Sequence, residues 1–463
     1  MKHTPEIHAG RLTGFPRAYV LALPVGLIGG SLGALFHYCL DRSYAFHAAF
    51  ASYLAGDTAL SIVVAASIGA VMTATSFWLV TQFAPEAGGS GIQEIEGAMA
   101  GLRPMRWVRV MIIKFLGGLL AIGAGLVLGR EGPTVHMGGC VGKWIGEKAK
   151  VDPETMNTLL AAGAAAGLSA AFGAPLASIL FVMEEMRTRF HFSFIAIHAV
   201  AIASLAAKVM NDQVFGVGPL LPIALKDSMA EIAPDPTLML EQFPLYLILG
   251  ILIGVCGAAF NASLLKCLAF FDRLSYGVRF LFALALGGVA GALMLLSPGS
   301  VGGGGSFVQD VFANTTNLQI LLALLVIRTG MTFLSYSCGV PGGVFAPMLA
   351  IGAIVGMCFG TITNEYIPYV TLPAGVFALA AMGGLFAATV RAPLTGIVLV
   401  AELTASFDLL GVLIITCIVA SITAQLLGSR PIYDSLLDRT LTAAERKEEA
   451  AKEPDVAGDA VVE

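Results

Sequence analysis

Residues 129–146, GREGPTVHMGGCVGKWIG, and residues 343–360, GVFAPMLAIGAIVGMCFG, carry one pattern written twice. Aligned without a gap they share Gly129/Gly343, Pro133/Pro347, Gly138/Gly352, Gly142/Gly356 and Gly146/Gly360, so that Glu131 in one corresponds to Phe345 in the other. A second ungapped pair follows each, in the same order. APLASILFVMEE (174–185) and APLTGIVLVAEL (392–403) pair Pro175/Pro393, Ile179/Ile397, Val182/Val400 and Glu184/Glu402. Two matches in one order make chance a poor explanation and describe a chain of two related halves.

Composition says where those halves reside. Hydrophobic residues make up 57% of the 463 positions and charged residues only 12%, with a mean hydropathy of +0.83; soluble domains carry roughly 25% charged residues. That excludes an ordinary cytoplasmic fold. Apolar stretches recur from residue 18 to about residue 430, many of them reaching the ~20 residues that a helix needs to cross the hydrocarbon core. The expectation is an all-α polytopic membrane protein. Its parts would be an N-terminal tail (1–16), a first membrane repeat (17–210), a connection (211–243), a second repeat (244–430), and a C-terminal segment and tail (431–463), of which the stretch 434–463 reads as a solvated extension. The first apolar segment, from Arg17, is long and lacks a convincing cleavage site, so it reads as a retained helix.

The net charge of -5 says little about partners, but its distribution sets orientation. Residues 212–241 hold Asp212, Asp227, Glu231, Asp235 and Glu241 against Lys226 alone. Basic residues gather as Arg103, Arg106, Arg109 and Lys114; as Lys143, Lys148 and Lys150; as Arg187 and Arg189; and as Lys266, Arg273 and Arg279. The positive-inside rule makes these groups cytoplasmic ends and the acidic connection external, with both termini cytoplasmic. The seven cysteines show no paired ligand spacing and read as packing residues, as does His136, so no metal site is expected. Nothing suggests nucleic acid as a partner.

The loops ahead of Pro133 and Pro347 carry a second message. Glycine followed by proline describes a loop entering a helix, and the glycines at every fourth position let that helix pack closely. Irregular backbone at membrane depth is tolerated where it is buried in protein or lines a cavity, and a helix start there directs free N–H groups and a positive dipole end into that cavity. Such a cavity suits an anion. Three Gly-containing segments fit the description: GGSGIQEIEG (88–97), GREGP (129–133) and GVFAP (343–347).

These three segments resemble the anion-filter motifs of the CLC family, in the family's order, and the resemblance extends from about residue 17 to 440. It implies two inverted-topology repeats of tilted and broken helices, a homodimer with one pathway per subunit, and no cofactor beyond chloride as the transported ligand. Motif by motif, it makes Ser90 a hydroxyl donor to a central anion, with the N–H groups near Val344 and Phe345 on the same ion. Tyr433, in SRPIYDSLL, matches the tyrosine whose phenol completes the site; without the resemblance it would read as an interfacial anchor. Gly89, Gly91, Gly129, Arg130, Gly132, Pro133, Gly343 and Pro347 form the surrounding filter motif. Neutral donors suit a transported anion, because a buried Lys or Arg would bind chloride too tightly to release it.

The resemblance assigns Glu131 an external gating and proton-accepting role. Chemically, a carboxylate in an anion cavity competes with the anion for the same donors, and protonation removes the competition. Two unit charges ~4 Å apart repel by about 4 kcal/mol at an effective dielectric of 20, which equals about three pKa units. The competing reading of Glu131 is a surface ion pair with Arg130. Exchangers of the family also carry an internal proton glutamate, and Glu185 in EEMR (184–187) takes that place, whereas Glu184, which has a repeat mate in Glu402, reads as structural. The sequence departs from the family at Gln93, where Gly-Ser-Gly-Ile is usually followed by Pro.

Three functions compete. Chloride/proton exchange across the bilayer is favoured by Glu131 together with Glu185. A passive, voltage- or pH-gated chloride channel of the same fold is the alternative. An intramembrane enzyme would need a nucleophile with its base, or paired metal ligands, and Ser90 has no evident His partner.

Overall fold

The computed structural model describes residues 17–53, 58–188, 193–221, 236–304, 308–309, 311–312, 317–367 and 373–452. Sixteen α-helices are present among them. The first half comprises α1 (Arg17–Tyr53), α2 (Thr58–Phe83), α3 (Ile92–Met99), α4 (Trp107–Gly123), α5 (Glu131–Ala149), α6 (Pro153–Phe172), α7 (Pro175–Glu185) and α8 (Phe194–Phe215). The second comprises α9 (Pro236–Asp272), α10 (Tyr276–Leu296), α11 (Leu318–Ser337), α12 (Phe345–Tyr366), α13 (Ala374–Val390), α14 (Pro393–Thr404) and α15 (Leu410–Leu426), and α16 (Ile432–Lys452) closes the chain.

Nine helices among the described residues are long and apolar enough to cross a membrane. Others are not: α7 has 11 residues and α14 has 12, which at 1.5 Å per residue reach little more than half of the ~30 Å hydrocarbon layer. These are the broken helices expected of the fold. Each of them starts against the other half. The carboxylate of Glu402 accepts the N–H groups of Leu176 (3.1 Å) and Ala177 (2.8 Å) at the start of α7. The carboxylate of Glu184 accepts those of Leu394 (3.0 Å) and Thr395 (2.7 Å), and the Thr395 hydroxyl (2.7 Å), at the start of α14. Two repeat-related glutamates thus cap each other's repeat, satisfying N–H groups that a helix start leaves open. That accounts for Glu184 as a structural residue.

The same pseudo-symmetry organises the core. Helix α6 is buried nearly all round and made largely of Ala, Gly and Leu, as a helix surrounded by protein must be. It starts from Asp152, whose side chain accepts the Thr155 N–H at 3.0 Å ahead of Pro153, and ends at Gly173 in the left-handed conformation (φ 64°). Its main neighbour is α5, and α13 is likewise the main neighbour of α12. A Cβ placed on Gly138 would run into the carbonyl of Gly163 on α6, and one on Gly163 into that of Gly138; on α12, Gly356 meets Phe377 and Ala378 in the same way. The glycine stripe therefore serves close helix packing.

Three sequence expectations need correction. Lys114 does not belong to an exposed basic cluster: it is fully buried within α4. The C-terminal segment is not simply a solvated extension, because α16 buries Leu436 and Leu437 and packs against α3. Helix also occupies both ends of the 211–243 span, α8 running to Phe215 and α9 starting at Pro236. Asp227, Glu231, Asp235 and Lys226 within it, and Arg189, lie outside the described residues.

Candidate functional site

The starts of α3, α5 and α12 converge at the centre of the chain, and two backbone bridges hold them there. Gly129 and Gly343, the equivalent glycines of the two repeats, hydrogen-bond to each other in both directions (2.7 and 2.8 Å). Gly89 donates to the Val340 carbonyl and accepts from the Gly342 N–H, each at 3.0 Å. None of the three residues that precede these helices, Gly91, Arg130 and Val344, gives its helix a side-chain cap. Uncapped starts leave N–H donors and positive dipole ends directed at the convergence.

Around it the side chains are polar and buried. Ser90 and Tyr433 are both fully buried and interact with each other, yet neither Ser90 Oγ nor Tyr433 Oη has a hydrogen bond of full geometry. A buried hydroxyl without a full partner costs about 1–3 kcal/mol, so two at one point form a polar spot that can still accept or donate. Phe345 opens α12 beside them. Its ring is packed among Phe386 (4.3 Å between centroids), Phe172 (5.1 Å) and Phe181 (6.0 Å), which steadies the first turn of α12. Val344 and Pro347 are buried beside it.

Glu131 opens α5 and is only 2% exposed. Its carboxylate lies against its own N–H and that of Ala346, while Oε2 has no full hydrogen-bond partner. The carboxylate also folds over Gly129, where a Cβ would strike it; that contact explains glycine at this position. The surface ion pair with Arg130 does not form: the Arg130 guanidinium donates to the Ala171 carbonyl, at 3.3 Å from Nε and 3.0 Å from Nη2. Gly132 packs onto Ser90 from the α5 side, with no room for a Cβ. On the far side of Glu131 opens a cavity of about 470 Å³, whose walls include Arg130, His37, Asp41, Tyr44 and Leu221.

Glu185 ends α7 and is 9% exposed. The charged groups acting on it are Glu96, Asp434, Arg187 and Glu184. Tyr433 lies within electrostatic reach of both Glu131 and Glu185.

Three residues of the site, Lys114, Tyr336 and His136, were not legible as such, and a fourth, Gln93, was legible as a departure from the family motif. Lys114 donates to the carbonyls of Ala87 (3.0 Å) and Gly89 (2.7 Å). A buried cation therefore does stand near the filter turn, but its hydrogen bonds go to carbonyls, drawing them away from an anion site. Tyr336 accepts the Ser90 N–H at 3.4 Å. Gln93 accepts the Gly91 N–H through Oε1 at 3.2 Å. His136 is buried with its ring against Gly91, which explains why no Cβ fits there, and its Nδ1 has no hydrogen-bond partner. No group of three or more possible metal-ligating side chains occurs among the described residues.

Comparison with known proteins decides the family. The family described as voltage gated chloride channel matches residues 68–425. The chain belongs to this CLC family. It is 42% identical over 449 residues to the H(+)/Cl(-) exchange transporter ClcA of Yersinia pseudotuberculosis, covering 96% of this chain and 91% of that one. It is 42% identical over 426 residues to the protein of the same description from Vibrio parahaemolyticus, covering 91% and 89%. Among solved structures, a slow cyanobacterial Cl-/H+ antiporter superposes with a TM-score of 0.87 at 38% identity, over 93% of this chain and 99% of that one. A CLC-type fluoride/proton antiporter shares the fold at 20% identity, with a TM-score of 0.72. The polytopic, all-helical membrane architecture expected from the repeats is thus the architecture of the family.

Proposed function

We propose that this CLC protein is a secondary active transporter that exchanges chloride for protons across the membrane. The single observation carrying the reading is the placement of a buried carboxylate, Glu131, at the same convergence of helix starts as the buried hydroxyls of Ser90 and Tyr433. Hydroxyls and N–H groups are the donors a dehydrated anion needs, and an ionised carboxylate is the anion's rival for them. Protonation of Glu131 releases the donors to chloride, and chloride entering favours the protonated acid; the opposing movements are linked at one residue. Glu185 supplies the inner end of the proton route. The exchange named for the relatives from Yersinia and Vibrio supports exchange over passive conduction.

In this reading Ser90, Tyr433 and the N–H groups of Val344 and Phe345 bind chloride. Glu131 is the external gating and proton glutamate, and Glu185 the internal one. The acid connection faces outward and α16 the cytoplasm. Each chain carries a complete set of these residues, so a homodimer in a bacterial inner membrane holds one pathway per subunit. No cofactor is required: the reaction moves ions and breaks no bond.

The test is proton movement into liposomes holding the purified protein, under an imposed chloride gradient with the membrane potential clamped. Exchange drives protons uphill. Chloride flux with no uphill proton movement overturns exchange in favour of a channel.

A further inference from the structure

Gly89, Ser90 and Gly91 form the turn ahead of α3, with Gly89 and Gly91 both at positive φ (62° and 90°). Successive N–H groups in a turn with left-handed residues are a ready anion cradle, so the fate of each decides how strongly the turn holds an ion. None of the three is open. Gly89 N–H is spent on the Val340 carbonyl, which belongs to the backbone bridge and would form with any side chains. The other two are taken by particular side chains: Ser90 N–H by the Tyr336 phenol, and Gly91 N–H by the Gln93 carboxamide.

Both acceptors are deliberate in their placement. Tyr336 comes from α11, is buried at 3% exposure, and its own O–H finds no acceptor among the described residues. Gln93 is buried at 6% exposure and reaches back to the residue preceding its own helix, as the returning arm of a capping box does. The Pro usual at this place in the family has no acceptor to offer. Lys114 anchors the turn from the carbonyl side, so the turn keeps its shape without either contact.

We propose that Tyr336 and Gln93 set the strength of the anion site by withholding the N–H groups of Ser90 and Gly91. The turn then presents Ser90 Oγ as its one donor, and the ion is held loosely enough to leave. The 3.4 Å bond from Ser90 N–H lies beyond the usual 2.7–3.2 Å range, so its donor is the easier of the two to free. Both are positioning residues, and the proposal rests on the reading of Ser90 as an anion ligand.

The experiment measures chloride binding to purified wild type, Tyr336→Phe, Gln93→Met and the double variant by calorimetry, with chloride flux from liposomes and melting temperature alongside. Freeing one donor tightens chloride by about tenfold, the effect of roughly 1.4 kcal/mol from a hydrogen bond to an ion, and slows turnover. A merely structural role lowers the melting temperature with the affinity unchanged, and that result overturns the proposal. Weaker binding in Tyr336→Phe overturns it too, because the phenol would then be a donor to the ion. Should Tyr336→Phe fail to fold, Gln93→Met carries the same comparison alone. If wild type binds no chloride, the assignment of Ser90 falls and this proposal with it; if wild type binds and the variants match it, only this proposal falls.

Discussion

Truncating Glu184 to alanine separates the two neighbouring glutamates of EEMR by what each does. Its carboxylate receives two backbone N–H groups and one hydroxyl at the start of α14, at 3.0, 2.7 and 2.7 Å. Hydrogen bonds to a charged group contribute about 1.5–3 kcal/mol each in favourable cases, but the three share two oxygens and a partly exposed site, and they are not additive. A total of about 2–4 kcal/mol is the reasonable expectation for Glu184→Ala. Glu402→Ala, with two bonds at 3.1 and 2.8 Å, should cost somewhat less, about 1–3 kcal/mol. The assay is unfolding of purified protein in mixed detergent micelles, paired with proton and chloride flux from liposomes. Both variants should unfold earlier, and the protein that remains folded should still move both ions. Unchanged stability with proton movement lost would refute the reasoning, and would make Glu184 rather than Glu185 the inner proton carboxylate.

Other expectations follow from the same geometry. Glu131→Gln should abolish proton movement while chloride still passes, as flux measurements report; unchanged proton flux removes Glu131 from the gate. Glu185→Gln should stop proton flux and spare chloride binding, whereas a lost calorimetric chloride signal would give it a structural role. Ser90→Ala removes a buried donor and should weaken chloride binding by roughly three- to tenfold, the range of one modest hydrogen bond. At the surface, Asp152 accepts Thr155 N–H and hydroxyl, which hold its carboxyl below the usual range. A lowered carboxyl stabilises the folded state above its unfolded pKa, and that stability is lost as pH falls through its folded value. Asp152→Ala should therefore cost about 1 kcal/mol near neutrality and less at strongly acid pH, where melting curves of the two proteins should draw together.

The fold was readable because its constraints act on residue types at fixed spacing. A helix that must approach another within backbone contact needs glycine, and Gly138 and Gly352 announce two such helices 214 positions apart. Glu184 and Glu402 were recognisable as repeat mates, yet nothing in the string says that each caps the opposite half; that follows only once α7 and α14 are packed together. Lys114 misled for a related reason. Charge counting treats every lysine as a surface group, whereas this one sits in an apolar helix with two carbonyls 25 and 27 residues away as its partners.

Tyr336 shows where sequence reasoning ends. Extended without a gap, the repeat places Ile122 opposite it, so symmetry gives no hint of a hydroxyl, and Tyr within an apolar helix is ordinary packing. Its meaning comes from a contact spanning 246 residues. Gln93 was visible as a departure, but whether its amide loosened the turn or joined it depended on which way the side chain pointed. It points back to Gly91. Together with Lys114 on the carbonyl side, these contacts leave a filter turn fixed on every side except the one bearing Ser90 Oγ. A site with few donors held rigidly binds an anion by fit rather than by strength, and weak binding at a rigid site is the condition under which one ion can be passed on by the arrival of the next or by the return of Glu131.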